Sequence, residues 1–157
     1  MLTTSDSLVN NSTAGQQIDP RTAVLSDGGR VVAWQSSGAP GDVGYDVRLQ
    51  LFGPDGAPAG AEIVVTPGTA GDQTTPMVAA TANGFVVAWT DSTGINTDDV
   101  YGQMFSAAGD KIGQPFLLNT QTAHAQDLAY VIPLAGGEKK TVLILDKPGG
   151  GVRIELL

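Results

Sequence analysis

The side chains with the most to offer chemically sit in one short stretch, Asp91-Ser-Thr-Gly-Ile-Asn96-Thr-Asp98-Asp99. Asp91, Asn96, Asp98 and Asp99 present hard oxygens at short intervals on a glycine-containing loop, the kind of donor that calcium gathers in sets of about six to eight. The spacing departs from the EF-hand pattern, and on an extended chain Asp98 and Asp99 point to opposite faces. A polar surface loop, in which Asp and Asn bond their own backbone to make turns, is the competing reading. Just upstream, Trp89 ends a Val-Val-Ala-Trp run that also ends at Trp34. An aromatic ring at a strand end can stack on a sugar, so Trp89 and Tyr101 are candidate ligand contacts. A tryptophan that recurs in this way reads first as packing between units and second as a binding surface.

Catalysis has less to work with. His124 is the single histidine and cysteine is absent, which removes thiolate nucleophiles, disulfides and multi-histidine metal sites. His124 lies between two alanines with no nucleophile set near it, and reads as a loop residue. Asp91-Ser92-Thr93-Gly94 has one residue too many for the aspartic-protease Asp-Thr-Gly and has no second copy, so the paired carboxylates of that mechanism are missing. Glutamate is confined to Glu62, Glu138 and Glu155, and the sialidase-type Ser-x-Asp-x-Gly-x-Thr-Trp box does not occur. No catalytic residue is assigned, and a non-enzymatic protein is expected.

Composition points the same way. The 157 residues suit one domain, and 41% apolar residues are enough for a core. Only 15% are charged, while 21 Gly and 9 Pro imply many turns. Sixteen acids against eight bases give a formal charge of −8, which disfavours nucleic acid and anionic membrane surfaces as partners. No apolar run approaches the roughly 20 residues that would insert across a bilayer. The amino terminus, Met1-Leu-Thr-Thr-Ser-Asp-Ser, has no basic start or apolar core of a signal peptide.

The elements that must position these residues are copied along the chain. Ala14-Gly15-Gln16-Gln17 with Pro20 recurs as Ala70-Gly71-Asp72-Gln73 with Pro76. Gly29-Arg30-Val31-Val32-Ala33-Trp34 recurs as Gly84-Phe85-Val86-Val87-Ala88-Trp89, and Gln50-Leu51-Phe52 with Gly56 and Gly60 as Gln103-Met104-Phe105 with Gly109 and Gly113. The offset between copies shrinks along the chain, which puts small deletions in loops. A third, eroded copy keeps Gln126 and the apolar runs Thr141–Leu145 and Val152–Leu157, and has lost the tryptophan. The repeated glutamines are expected to stitch one unit to the next, and the prolines to start the innermost strand, where a missing N–H is harmless.

Each copy is punctuated like β-hairpins: Ser26-Asp27-Gly28-Gly29 and Ala82-Asn83-Gly84 are turn sequences, and Tyr45, Val47, Leu49 and Leu51 alternate on one face. Four short strands per unit and no long amphipathic helix are predicted. A four-stranded unit of this length, repeated, is a mark of propeller blades. The expected fold is all-β, a single domain over 1–157 with three four-stranded units, propeller-like, with a β-trefoil-like three-fold arrangement as the alternative. The units run at about 11–66, 67–120 and 121–157, the last completed by a strand at 7–10 across the termini. Failing that, a neighbouring chain supplies the pairing and a homodimer forms a six-unit ring, since an open sheet edge invites association.

The run Asp72-Gln73-x-x-Pro76-x-Val78-Ala79, Gly84 to Trp89, and Val100-Tyr101-Gly102-Gln103-x-Phe105 with Gly109 and Gly113 resembles the tandem repeats of very large secreted bacterial adhesins of the calcium-binding, haemolysin or RTX type. Residues 8–119 carry the resemblance well and 120–157 weakly. It implies an extracellular or cell-surface repeat with a scaffold or adhesion role, next to further repeats of a longer chain. The glycine-rich G-G-x-G-x-D nonapeptides that hold calcium in that family are absent, so calcium remains an expectation for the Asp91–Asp99 loop alone. The runner-up is a lectin-like carbohydrate-binding module, calcium-assisted, holding glycans near Trp89 and Asp98.

Overall fold

β-Branched and aromatic runs between glycine-bearing turns become strands. The computed structural model describes residues 7–68, 70–93 and 98–119, and the strands at 126–133, 140–146 and 152–156. Strands β1 (Gln16–Val24), β2 (Arg30–Ser37), β3 (Tyr45–Phe52) and β4 (Ile63–Val64) form one antiparallel sheet in chain order. β5 (Asp72–Thr81), β6 (Gly84–Ser92), β7 (Asp99–Ser106) and β8 (Lys111–Leu117) form a second in the same order. β9 (Gln126–Pro133), β10 (Lys140–Asp146) and β11 (Val152–Leu156) form a third, three-stranded sheet. The all-β expectation holds, with no helix among the described residues. Residues 7–10 are irregular backbone beside Val32 and Trp34, and among the described residues no ladder joins them to β11.

The two complete sheets match in detail as well as in order. Trp34 pairs across strands with Arg48, and Trp89 with Tyr101. The first strand of each sheet breaks register at the same place, between Ile18 and Arg21 and between Thr74 and Met77. Asp19 (φ 53°) and Thr75 (φ 48°) sit at these bulges in the left-handed region, each directly before its proline. The prolines therefore lie inside their strands, a correction to the expected strand start. The physical reason for tolerating them is unchanged, because a bulged residue leaves the ladder and needs no N–H. β9 slips register too, opposite Leu143 and Ile144.

The recurring Ala-Gly pair before β1 and β5 also has a steric cause. A Cβ on Gly71 (φ +82°) would lie 2.5 Å from the Ser92 carbonyl oxygen, and one on Gly15 would fall on that of Ser37. Only glycine lets the strand entry close against the end of the neighbouring strand.

Sheets stack face to face. Val31, Ala33, Val47, Leu49 and Leu51 of the first sheet meet Phe85, Val87, Trp89 and Phe105 of the second. Phe85 and Phe105 stack with centroids 5.0 Å apart and are fully buried, contributing about 1.5–3 kcal/mol each. The opposite face of the second sheet buries Ala79, Val86, Ala88, Val100 and Leu118. β5 lies against β1, β2 and β3, and β9 against β5, β6 and β7, so the first strand of each unit packs on the unit before it. The second sheet thus has two unlike faces.

Candidate functional site

Alternation along β6 puts Phe85, Val87, Trp89 and Asp91 on the face toward the first sheet, and β7 adds Tyr101, Gln103 and Phe105. A cleft of about 710 Å³ lies along this face. Trp89, Asp91, Tyr101, Gln103 and Lys111 line one side, and Val65, Thr66 and Pro67 from the first unit border it. Trp89 and Tyr101 stack, with centroids 6.3 Å apart and planes 19° apart. Trp89 is 3% exposed and belongs to the core, whereas Tyr101 is half-buried. Of the two expected ligand contacts, Tyr101 therefore offers the more accessible ring.

Asp91 is the unusual group. It is 8% exposed, and among the described residues its Oδ1 has no hydrogen-bond partner; neither has Trp89 Nε1. Burial pushes its carboxyl above the ordinary value, opposed by the polar side chains of Thr93, Trp89 and Gln73, while the charge of Asp99 adds to the rise. Trp89 Nε1 and Gln73 thus lie near the carboxyl without completing a hydrogen bond to Oδ1. A buried carboxylate oxygen with no partner is costly. Gln103 Oε1, also buried in this cleft, is likewise unpartnered.

The first unit resolves the same place differently. The residue opposite Trp34 is Arg48, whose Nη2 lies 2.6 Å from Asp42 Oδ1 and whose Nη1 lies 2.7 Å from Glu62 Oε1. Nη2 also donates to Pro40 O at 2.8 Å. Burial works against the Arg48 charge, but its bonds to Asp42 and Glu62 outweigh this and raise its pKa. Ser36, the counterpart of Asp91, donates to Asp42 Oδ2 at 2.9 Å. Tyr45 lies at the start of β3 opposite Ser37, with its hydroxyl bonded to Gln16.

Of the expected calcium ligands, Asp91 and Asp99 face each other across β6 and β7, and Asp98 directly precedes β7; Asn96 lies outside the described residues. Asp99 has a structural partner: Asn119 donates to it at 2.7 Å and accepts the Val100 N–H at 2.7 Å. Thr66 joins Asp46 to Val47 N in the same way, at 3.1 and 2.9 Å. Among the described residues no three His, Cys, Asp or Glu side chains are placed to hold a metal. His124 is outside the described residues.

No family model, curated protein or solved structure matches this chain. The usable likeness is internal, between the first and second units. It corrects the role of the glutamines: Gln17 and Gln73 donate to Ala14 O and Ala70 O of their own unit, at 3.1 and 3.2 Å. Among the described residues, bonds between units include Thr75 N to Gln35 Oε1 (3.0 Å), Tyr45 N to Asp72 Oδ1 (2.9 Å), Lys111 Nζ to Val65 O (2.8 Å) and Ser26 Oγ to Ala82 O (3.4 Å). Burial lowers the Lys111 pKa. Gln103 and Lys111 were not singled out from sequence; the repeat of Gln50 at Gln103 was the available signal for the first. Both glutamines are buried and donate to carbonyls of their fourth strand region, Gly60 and Ile112.

Proposed function

We propose that the chain is a non-enzymatic repeat module, with a scaffold or adhesion role in a secreted or cell-surface bacterial protein, its units arranged as propeller-like blades. The carrying observation is that buried polar groups recur in both complete units and are used to join strands and sheets. The bulge, the Ala-Gly entry and the Asp46–Thr66 and Asp99–Asn119 clasps are each present twice. Separate meander sheets stacked face to face favour blades over a trefoil. The two unlike faces of the second sheet also suit further units, from neighbouring repeats or a second copy that closes a six-unit ring. Light scattering with electron microscopy tests the arrangement: a discrete one- or two-chain particle with radial sheets supports it, and an open series of masses rising with concentration refutes closure. For adhesion, beads coated with the chain should bind bacterial or host surfaces, and inert beads would remove that role.

Carbohydrate binding is a second reading, favoured by the half-buried Tyr101 ring along the cleft. A glycan-array signal, with and without calcium, that disappears in Tyr101→Ala while circular dichroism is unchanged would support it.

A further inference from the structure

We propose that the Asp91 end of the cleft is a seat for a guanidinium group, the side chain of an arginine carried by a bound partner. The first unit supplies the template. There the residue opposite the tryptophan is Arg48, and the chain fills the position with its own cation, between Asp42 and Glu62. In the second unit the corresponding residue is Tyr101 and the Glu62 counterpart is Pro115. A carboxylate has meanwhile appeared at Asp91, where the first unit has Ser36. The second unit has a buried carboxyl and no cation opposite its tryptophan.

What remains matches a donor-rich planar cation. Among the described residues Asp91 Oδ1 and Gln103 Oε1 are buried and without a hydrogen-bond partner, their residues line the same cleft, and both atoms are acceptors. Guanidinium carries five N–H donors and no acceptor, and stacks on aromatic faces. Tyr101, half-buried and opposite Trp89, lies one step along the face from Asp91, so an arginine stem can cross its ring on the way to the carboxyl. Calcium fits poorly, since it needs about six oxygens and among the described residues no three acidic or histidine side chains gather at this end. Lys111 does not neutralise Asp91. It pairs with Phe105 opposite Phe85, six residues from Asp91 and so roughly 20 Å along the strand, and its Nζ is engaged by Val65 O. The net charge of −8 draws cations toward the surface. None of this depends on whether the units close into a ring.

The test uses Trp34→Phe, which leaves Trp89 as the only tryptophan, with folding checked by circular dichroism. Its fluorescence is titrated with N-acetyl-arginine amide and with the neutral isostere N-acetyl-citrulline amide. A saturable response to the arginine compound is expected, at least tenfold weaker for citrulline, weakened by salt and lost at least tenfold in Asp91→Asn. Tyr101→Arg, which copies the first unit, should raise the melting temperature and abolish binding of the probe. Equal responses to the two amides, or arginine binding unchanged in Asp91→Asn, would overturn the proposal. So would a folded Tyr101→Arg that binds the probe as before; if that variant does not fold, the Asp91→Asn titration decides.

Discussion

Removing the Arg48 guanidinium tests whether the first unit is held by a buried charge network. Arg48→Met keeps the length of the stem and deletes four polar contacts: Nη1 to Glu62 at 2.7 Å, Nη2 to Asp42 at 2.6 Å, Nη2 to Pro40 O at 2.8 Å and Nε to Asp42 at 3.0 Å. The Asp42 and Glu62 side chains are 1% and 7% exposed, so two carboxylates stay buried without their cation. Breaking a buried pair in this way costs about 3–5 kcal/mol. The lower end applies here, because Asp42 keeps Ser36 Oγ and Ala39 N, and Glu62 keeps Asn11 N. A loss of about 3 kcal/mol corresponds to roughly 6–12 °C in a chain of this size. Urea unfolding at neutral pH, followed by circular dichroism and tryptophan fluorescence, measures it. Adding Glu62→Gln should restore part of the loss, since the second change removes a charge that the first left stranded. A single-variant loss under about 1 kcal/mol is what an exposed pair gives, and it would refute the reasoning.

Two further outcomes follow from the same geometry. Burial holds the Asp91 carboxyl above its ordinary value of 3.8, so the folded chain keeps a proton that the unfolded chain releases. The contribution of Asp91 is therefore most favourable below about pH 3.8 and fades as pH rises through its raised folded value. Asp91→Asn should melt a few degrees higher than the parent near pH 7, the gap narrowing toward about pH 4; a lower melting temperature at pH 7 would contradict this. Gly71→Ala drives a methyl into the Ser92 carbonyl at a left-handed φ and should cost about 2–4 kcal/mol. Gly56→Ala, with a similar φ of +82° and open space around it, should cost only about 1–2 kcal/mol; equal losses in urea titrations would show that the contact is irrelevant.

Strand positions were legible because they rest on local patterns. Tyr45 to Phe52 alternate, Asp27-Gly28 and Asn83-Gly84 mark turns, and the copies of Val-Val-Ala-Trp fix which strand corresponds to which. The bulges were not legible. Asp19 and Thr75 adopt a left-handed φ directly before proline, a conformation that intrinsic preference opposes at both types of residue, and only the repeated Gln-x-x-Pro hinted at something fixed there. At the site, Trp89, Tyr101 and Asp91 were found by residue type, but their relation to the first unit was missed. The repeat of Gln50 at Gln103 already sets Arg48 against Tyr101, and the β2–β3 and β6–β7 registers place each of them opposite its tryptophan.

That substitution is possible because the units do not rely on the cleft for their connections. Thr66 and Asn119 each accept a main-chain N–H and donate to an aspartate, a double duty open to hydroxyl and amide side chains and closed to acids, amines and hydrocarbons. Gln50 and Gln103 likewise tie the outer strand in both units. With main-chain groups satisfied by residues that recur, the position opposite the tryptophan is free to be Arg48 in one copy and Tyr101 in the other. The cation stands only in the copy that also carries Asp42 and Glu62 beside it, and the copy with Tyr101 has the buried Asp91 carboxyl in the place of Ser36.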